Sequence, residues 1–232
     1  MTDHFIHIYN HQARDYHRLI TPEDVDRNLL PALEKITPLQ GKRILDLGTG
    51  TGRLPLLLGA QAAQIIGLDL HWDMLRENQT QRKSRQGKWG LIQGDMRRLP
   101  VLSGWAEVVM AGWAIGHFTQ WYAPDWPVQA GRVLTEMHRV VQPGGALIIM
   151  ETLTTGSLTP APPTEALAHY YTWLEAEWGF NRQEIQTDYQ FASVEEAVAR
   201  TEFFFGPDLA ATIRRQGWSR LPEWTGVWGK RV

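Results

Sequence analysis

The sequence predicts an α/β fold, a mainly parallel sheet with helices packed on both faces, and three observations predict it. Short apolar runs recur at Arg43–Leu47, Gln64–Asp69, Trp89–Gln93, Trp105–Gly112 and Ala146–Glu151, each the length of a strand rather than of a helix. The intervals between them suit crossover helices, which parallel neighbours require. The first run breaks into Gly48-Thr49-Gly50-Thr51-Gly52, a turn that hands a buried strand to a helix start.

Taken in order, residues 4–17 predict one or two short helices, in which His4, His7 and His11 share a face. Metal-binding tracts are usually denser or joined by carboxylates, so no metal site is predicted there. Thr21-Pro22-Glu23-Asp24 offers a capping hydroxyl, a proline at the first helical position and acids in the first turn. Val25, Leu29, Leu30, Leu33 and Ile36 then mark one apolar face, which Pro31 is expected to kink or split. Leu134, Met137, Val140 and Val141 recur at helical spacing before Gln142-Pro143-Gly144-Gly145 stops the helix.

Beyond Glu151, Thr152–Thr164 reads as a loop at the strand end where open α/β sheets gather ligands. Glu165 to Trp178 traces a helix that Gly179 ends. Ile185–Phe191 alternates with period two and predicts the sixth strand. Ser193-Val194-Glu195-Glu196 is a capping box opening a helix that breaks near Gly206-Pro207. A last helix spans Asp208–Gln216, and Glu223–Lys230 closes the chain as a strand. No linker divides domains, so residues 1–232 are expected to form one, with 1–40 a helical cap, 41–151 the core and 152–232 a substrate-side part.

Composition excludes several function classes. The net charge of −2 argues against a polyanion-binding surface, and Arg82-Lys83-Ser84-Arg85 reads as a solvated helix end. With 0 Cys there is no disulfide, thiolate metal site or cysteine nucleophile. No run approaches the 18 or so apolar residues of a membrane span, and the polar Met1-Thr2-Asp3-His4 is no signal peptide. A cytoplasmic location is the expectation.

The glycine spacing separates the remaining nucleotide-binding readings. A dinucleotide turn needs Gly-x-Gly-x-x-Gly, but counting from Gly48 the third glycine is replaced by Arg53. A phosphate loop needs Gly-Lys-Ser/Thr, which is missing. Asp46-x-Gly48-x-Gly50-x-Gly52, followed by strands that lead to Asp69 and Asp95, resembles the class I S-adenosylmethionine-dependent methyltransferases, and the core resembles their quinone-biosynthesis branch. The resemblance covers 41–151. It implies a Rossmann-like seven-stranded sheet in order 3-2-1-4-5-7-6, the last strand antiparallel, with an N-terminal helical lid.

It also implies roles. The turn of Gly48, Thr49, Gly50 and Gly52 would pack against the amino-acid end of S-adenosylmethionine, and Asp46 would orient its ammonium group. Asp69 would hold the ribose diol with Leu70 against the adenine. Asp95 would accept from the adenine amino group with Met96 on the ring. Gly112 closes the fourth strand beside the cofactor, and Tyr16 of the lid would lie near the reactive methyl. His117 is the candidate base and Glu151 its substitute. Trp113, Trp121, Trp126 and Tyr122 crowd the segment after the fourth strand. Packing of a long loop is the expected role of most, a pocket wall for an acceptor at Trp113 or Trp121 being the alternative. Where amino-methylating nucleic-acid enzymes carry an Asn/Asp-Pro-Pro-Tyr type motif, this chain has Ala111-Gly112-Trp113-Ala114. A small-molecule methyl acceptor is therefore expected, without nucleic acid. A cofactor-binding sensor or scaffold without turnover is the alternative, and the oligomeric state is not legible.

Overall fold

The computed structural model describes residues 4–232. Met1, Thr2 and Asp3 of the polar N-terminal stretch lie outside the described residues. Three helices come first: α1 (His4–His11), α2 (Ala13–Ile20) and α3 (Leu29–Ile36). The core then alternates β1 (Arg43–Leu47), α4 (Arg53–Leu58), β2 (Gln64–Asp69), α5 (Trp72–Ser84), β3 (Gly90–Gln93) and β4 (Ala106–Gly112). It continues with α6 (Phe118–Trp121), α7 (Trp126–Val140) and β5 (Val141–Thr155). The remainder holds α8 (Glu165–Ala176), β6 (Asn181–Gln186), β7 (Tyr189–Gln190), α9 (Val194–Phe205), α10 (Pro207–Gln216), β8 (Arg220–Leu221) and β9 (Glu223–Arg231).

Seven strands form one sheet in the order β3-β2-β1-β4-β5-β9-β6, and β7 pairs with β8 in a separate ribbon. The pairs β1–β2, β2–β3, β1–β4 and β4–β5 are parallel, whereas β9 runs antiparallel to both β5 and β6. With the ribbon set aside, this is the expected order with its antiparallel last strand. Both faces are covered, which explains the unbroken apolar runs of the central strands. Leu45, Val109, Leu147 and Ile149 face Val133, Leu134 and Met137 of α7 and Tyr170 and Leu174 of α8. Ile44, Val108, Ile148 and Val227 face Leu29 and Leu33 of α3 and Leu54 and Leu58 of α4.

Several expectations fail. The fifth strand spans Val141–Thr155, so it takes in Val141, expected at the end of the preceding helix, the Gln142-Pro143-Gly144-Gly145 stop, and the first residues of the loop expected from Thr152. The helix placed from Thr21 starts at Leu29, because Asp24 and Arg27 adopt left-handed backbone at φ 61° and 59°. The Asp24 carboxylate accepts from the amides of Asn28, at 2.7 Å, and Leu29, and so caps the helix there. Pro31 then falls in the first turn, where no amide is needed, and neither kinks nor splits anything. Thr21 instead donates to the His17 carbonyl at the end of α2.

The sixth strand is Asn181–Gln186, not Ile185–Phe191. It is an edge strand with a largely exposed polar sequence, so it lacks the alternation that marks half-buried strands. The alternation at Tyr189 and Phe191 has another cause: both pack with Leu19, Val198 and Ile213 in a separate cluster beneath α9 and α10. The capping box forms as expected, Ser193 Oγ accepting from Glu196 N–H and the Glu196 carboxylate from Ala192 N–H.

Candidate functional site

The parallel strands end together on one edge of the sheet, and their ends supply the site. Gly48 and Gly50 adopt φ 67° and 52° after β1, a conformation that side-chained residues rarely take. A Cβ on Gly48 would stand 2.5 Å from that of Ala114, so the turn also lies tight against the segment after β4. Asp69, at the end of β2, accepts from Gly50 N–H through Oδ2 and from His71 N–H through Oδ1, each at 2.8 Å. This carboxylate ties the glycine turn to the neighbouring strand end, and burial raises its pKa.

Asp46 is buried to 2% exposure, and its Oδ2 has no hydrogen-bond partner. Burial, with the Asp69 charge nearby, pushes its pKa up to about 7 against the pull of a Thr49 hydrogen bond. An unpartnered buried carboxylate oxygen beside a glycine turn fits an ammonium group or its bridging water.

A cleft at these strand ends is lined by Tyr16, Gly48, Gly50, Asp69, Leu70, Asp95, Met96, Gly112 and His117, all residues expected there. Three expected residues stand behind the wall. Asp46 is one. Thr49 is buried against Gly67, where a Cβ would meet its hydroxyl at 2.6 Å. Gly52, at φ 99°, gives room to Asn78 of α5. Asp95 lines the cleft but carries an unforeseen partner, because Arg97 grips its carboxylate through Nε at 3.0 Å and Nη2 at 2.6 Å. That pair lowers the Asp95 pKa. Arg97 also lies over the ring of Tyr122.

The N-terminal helices close the cleft through polar contacts. Asn10 meets His71 Nδ1 at 2.9 Å, His17 Nδ1 meets Thr51 Oγ1 at 3.0 Å, and Tyr9 Oη meets His117 Nε2 at 2.8 Å. His117 stacks on Trp121 with ring centroids 4.7 Å apart. Tyr16, beside Tyr9, is pushed by burial to a pKa of about 12. Sequence reasoning missed Tyr9, since one tyrosine on a short amphipathic helix carries no local signal. His7 and His11 face each other at 4.8 Å while His4 approaches the Phe204 carbonyl, and among the described residues no cluster could hold a metal ion.

A second cavity, of 800 Å³, adjoins the cleft and shares Tyr9, Tyr16, Trp113 and His117 with it. Trp113 therefore walls both, whereas Trp121 lines only the cleft. Trp113 is held at φ 52° under the Arg53 guanidinium, 3.6 Å from its ring centre. Arg53 also forms a two-pronged bond to buried Glu23, both arms 2.8 Å. Glu151 lines this cavity, accepts from Gly116 N–H at 2.8 Å and is pushed by burial to a pKa of about 8.

A glycine turn followed by strand-end aspartates on this sheet resembles the S-adenosylmethionine-dependent methyltransferases. Residues 45–149 match the family model described as a methyltransferase domain. The chain is similar to the malonyl-[acyl-carrier protein] O-methyltransferase of Legionella pneumophila, 32% identical over 145 residues, which span 60% of this chain and 46% of that protein. It is also similar to the demethylmenaquinone methyltransferase of Thermus thermophilus, 31% identical over 142 residues, spanning 60% of this chain and 56% of the relative. The chain thus spans about half the length of these relatives. Haemonchus contortus phosphoethanolamine N-methyltransferase 2, solved with S-adenosyl-L-methionine, aligns with a TM-score of 0.57 at 15% identity, covering 99% of this chain and 60% of that one. That likeness is one of fold alone. No helix among the described residues is long and apolar enough to cross a membrane.

Proposed function

We propose that the protein methylates a small-molecule acceptor with S-adenosylmethionine. The observation that carries this reading is the unpartnered, buried Oδ2 of Asp46 behind a cleft that opens into a second, larger cavity. Bound S-adenosylmethionine supplies a methyl group already activated on a sulfonium, so the chain needs chiefly to orient and to exclude water. In this reading Asp46 holds the ammonium end and Gly48 and Gly50 admit it. Asp69 takes the ribose, and Leu70 and Met96 flank the base. Asp95 accepts from the adenine amino group with the oxygen capacity that Arg97 leaves.

His117 stands where both cavities meet and takes a proton from acceptors that must lose one, with Tyr9 orienting its ring. Residues 1–40 act as the lid, 41–151 as the cofactor core and 152–232 as the acceptor side of one domain. Calorimetric titration with S-adenosylhomocysteine tests the cofactor half of the reading. Mass spectrometry of an acceptor panel, scored for a gain of one methyl group, tests the other. Stoichiometric cofactor binding with no methylated product across the panel would favour a sensor.

A further inference from the structure

The composition of the larger cavity narrows the acceptor, an inference that rests on the methyltransferase reading. Phe5, Tyr9, Tyr16, Phe204 and Phe205 give it aromatic walls. Set into them are three carboxyl side chains, Glu23, Glu151 and Glu223, and, histidine apart, one cationic side chain among the described wall residues, Arg53. Arg53 is already committed to Glu23 through two bonds of 2.8 Å. Glu151 and Glu223 are 4% and 2% exposed, and neither forms an ion pair among the described residues.

Glu223 carries the decisive atom. Its Oε1 accepts from Thr152 Oγ1 at 2.8 Å, and its Oε2 is buried with no partner. A buried acceptor oxygen left unmade is costly, and a ligand donor that reaches it recovers that cost. An anionic acceptor meets two uncompensated acids and no uncommitted arginine. An alcohol offers one donor and no charge. An amine offers several donors and, as ammonium, the counter-charge that the acids lack. Aromatic ring faces favour the same cation.

We propose that this cavity takes an apolar acceptor headed by an amine, whose N–H groups reach Glu223. Burial holds Glu223 towards the neutral form when no cation is present, and a bound ammonium reverses that preference.

The test uses the full chain. Titration with S-adenosylhomocysteine comes first, and absence of heat strikes the methyltransferase reading itself. The saturated protein is then titrated with 3-phenylpropylamine, 3-phenylpropanol and 3-phenylpropionate, which share one apolar body. The amine is expected to bind at least about tenfold more tightly than the propionate, with the alcohol between them. E223Q is expected to weaken the amine about tenfold or more while moving the alcohol less than about twofold. If E223Q fails to melt cooperatively, E223D, which keeps the carboxyl and withdraws it by one methylene, serves the same purpose. Propionate bound as tightly as the amine, an amine indifferent to both variants, or no binding of any probe at millimolar concentration would each overturn the proposal.

Discussion

Tyr9 on the first helix and His117 after the fourth strand, 108 residues apart in sequence, meet at 2.8 Å between Oη and Nε2. The contact ties α1 to the segment after β4 and engages the one imidazole that both cavities share. Tyr9→Phe removes the bond and keeps the ring packing. It should lower turnover while moving S-adenosylhomocysteine affinity less than about threefold. His117→Ala should lower kcat by about 100-fold if the acceptor loses its proton to it. A kcat unchanged in His117→Ala, measured at saturating cofactor, retires the base.

The Asp46 and Asp69 carboxylates should separate by their partners. Asp69→Ala frees the amides of Gly50 and His71 and removes the proposed ribose contact. It should cost about 1–3 kcal/mol of cofactor affinity together with a fall in thermal stability. Asp46→Asn should weaken the cofactor while raising stability near pH 8, because it removes a charge that is buried without a partner. Calorimetry and thermal melts on the two variants decide this.

A pH dependence follows from Asp46. Its pKa is about 7 when folded, against about 3.9 for an unfolded aspartate, so the folded chain retains a proton that the unfolded chain releases. That contribution to stability is fully present below about pH 4 and is lost as pH rises through 7. The size is on the order of a few kcal/mol, and Asp46→Asn should flatten the profile between pH 5 and 8 by about that amount. An ammonium ligand reverses the preference at this carboxyl. Cofactor binding should therefore release a proton near pH 6.5, seen as a dependence of the calorimetric heat on buffer ionisation enthalpy.

The Arg53–Glu23 pair lies in the wall of the larger cavity with both side chains mostly buried, 18% and 2% exposed. Arg53→Met leaves Glu23 buried without its cation and Trp113 without its cover, and should cost about 3–5 kcal/mol in urea unfolding. The double variant with Glu23→Gln should recover most of that loss. A single variant within about 1 kcal/mol of wild type would show that the pair is not structural.

Glycines 48 and 50 should respond differently to alanine. At Gly48 the new Cβ meets Ala114 at 2.5 Å, so stability should fall by about 1–3 kcal/mol. At Gly50 the nearest atom is Met74 Cε at 3.6 Å, leaving about 1 kcal/mol of backbone strain. Gly50→Ala should therefore fold and bind the cofactor poorly, which thermal melts and titration read separately.

The elements that could be read from the chain are those whose local pattern has one physical cause. The runs through Leu45, Ile65 and Val109 are apolar throughout because the sheet is covered on both faces. The turn at Gly48 was legible because few other residues sit at positive φ so close to a neighbouring backbone. Asn181–Gln186 was not legible, since an edge strand with exposed side chains has no apolar period. The start of α3 was misplaced because a left-handed turn at Asp24 overrode a good capping sequence at Thr21.

Local sterics and burial periodicity thus dictated the sheet, its crossings and the strand ends at Asp46, Asp69 and Asp95. Which side chains line one cavity depended on the fold. Glu23, Arg53, Glu151 and Glu223 are scattered over 200 residues, and no spacing along the chain relates them. The Arg53–Glu23 pairing, and the oxygen of Glu223 left without a donor, exist only because packing buries these side chains, where an unmatched charge or hydrogen bond has a cost it would not have in solvent.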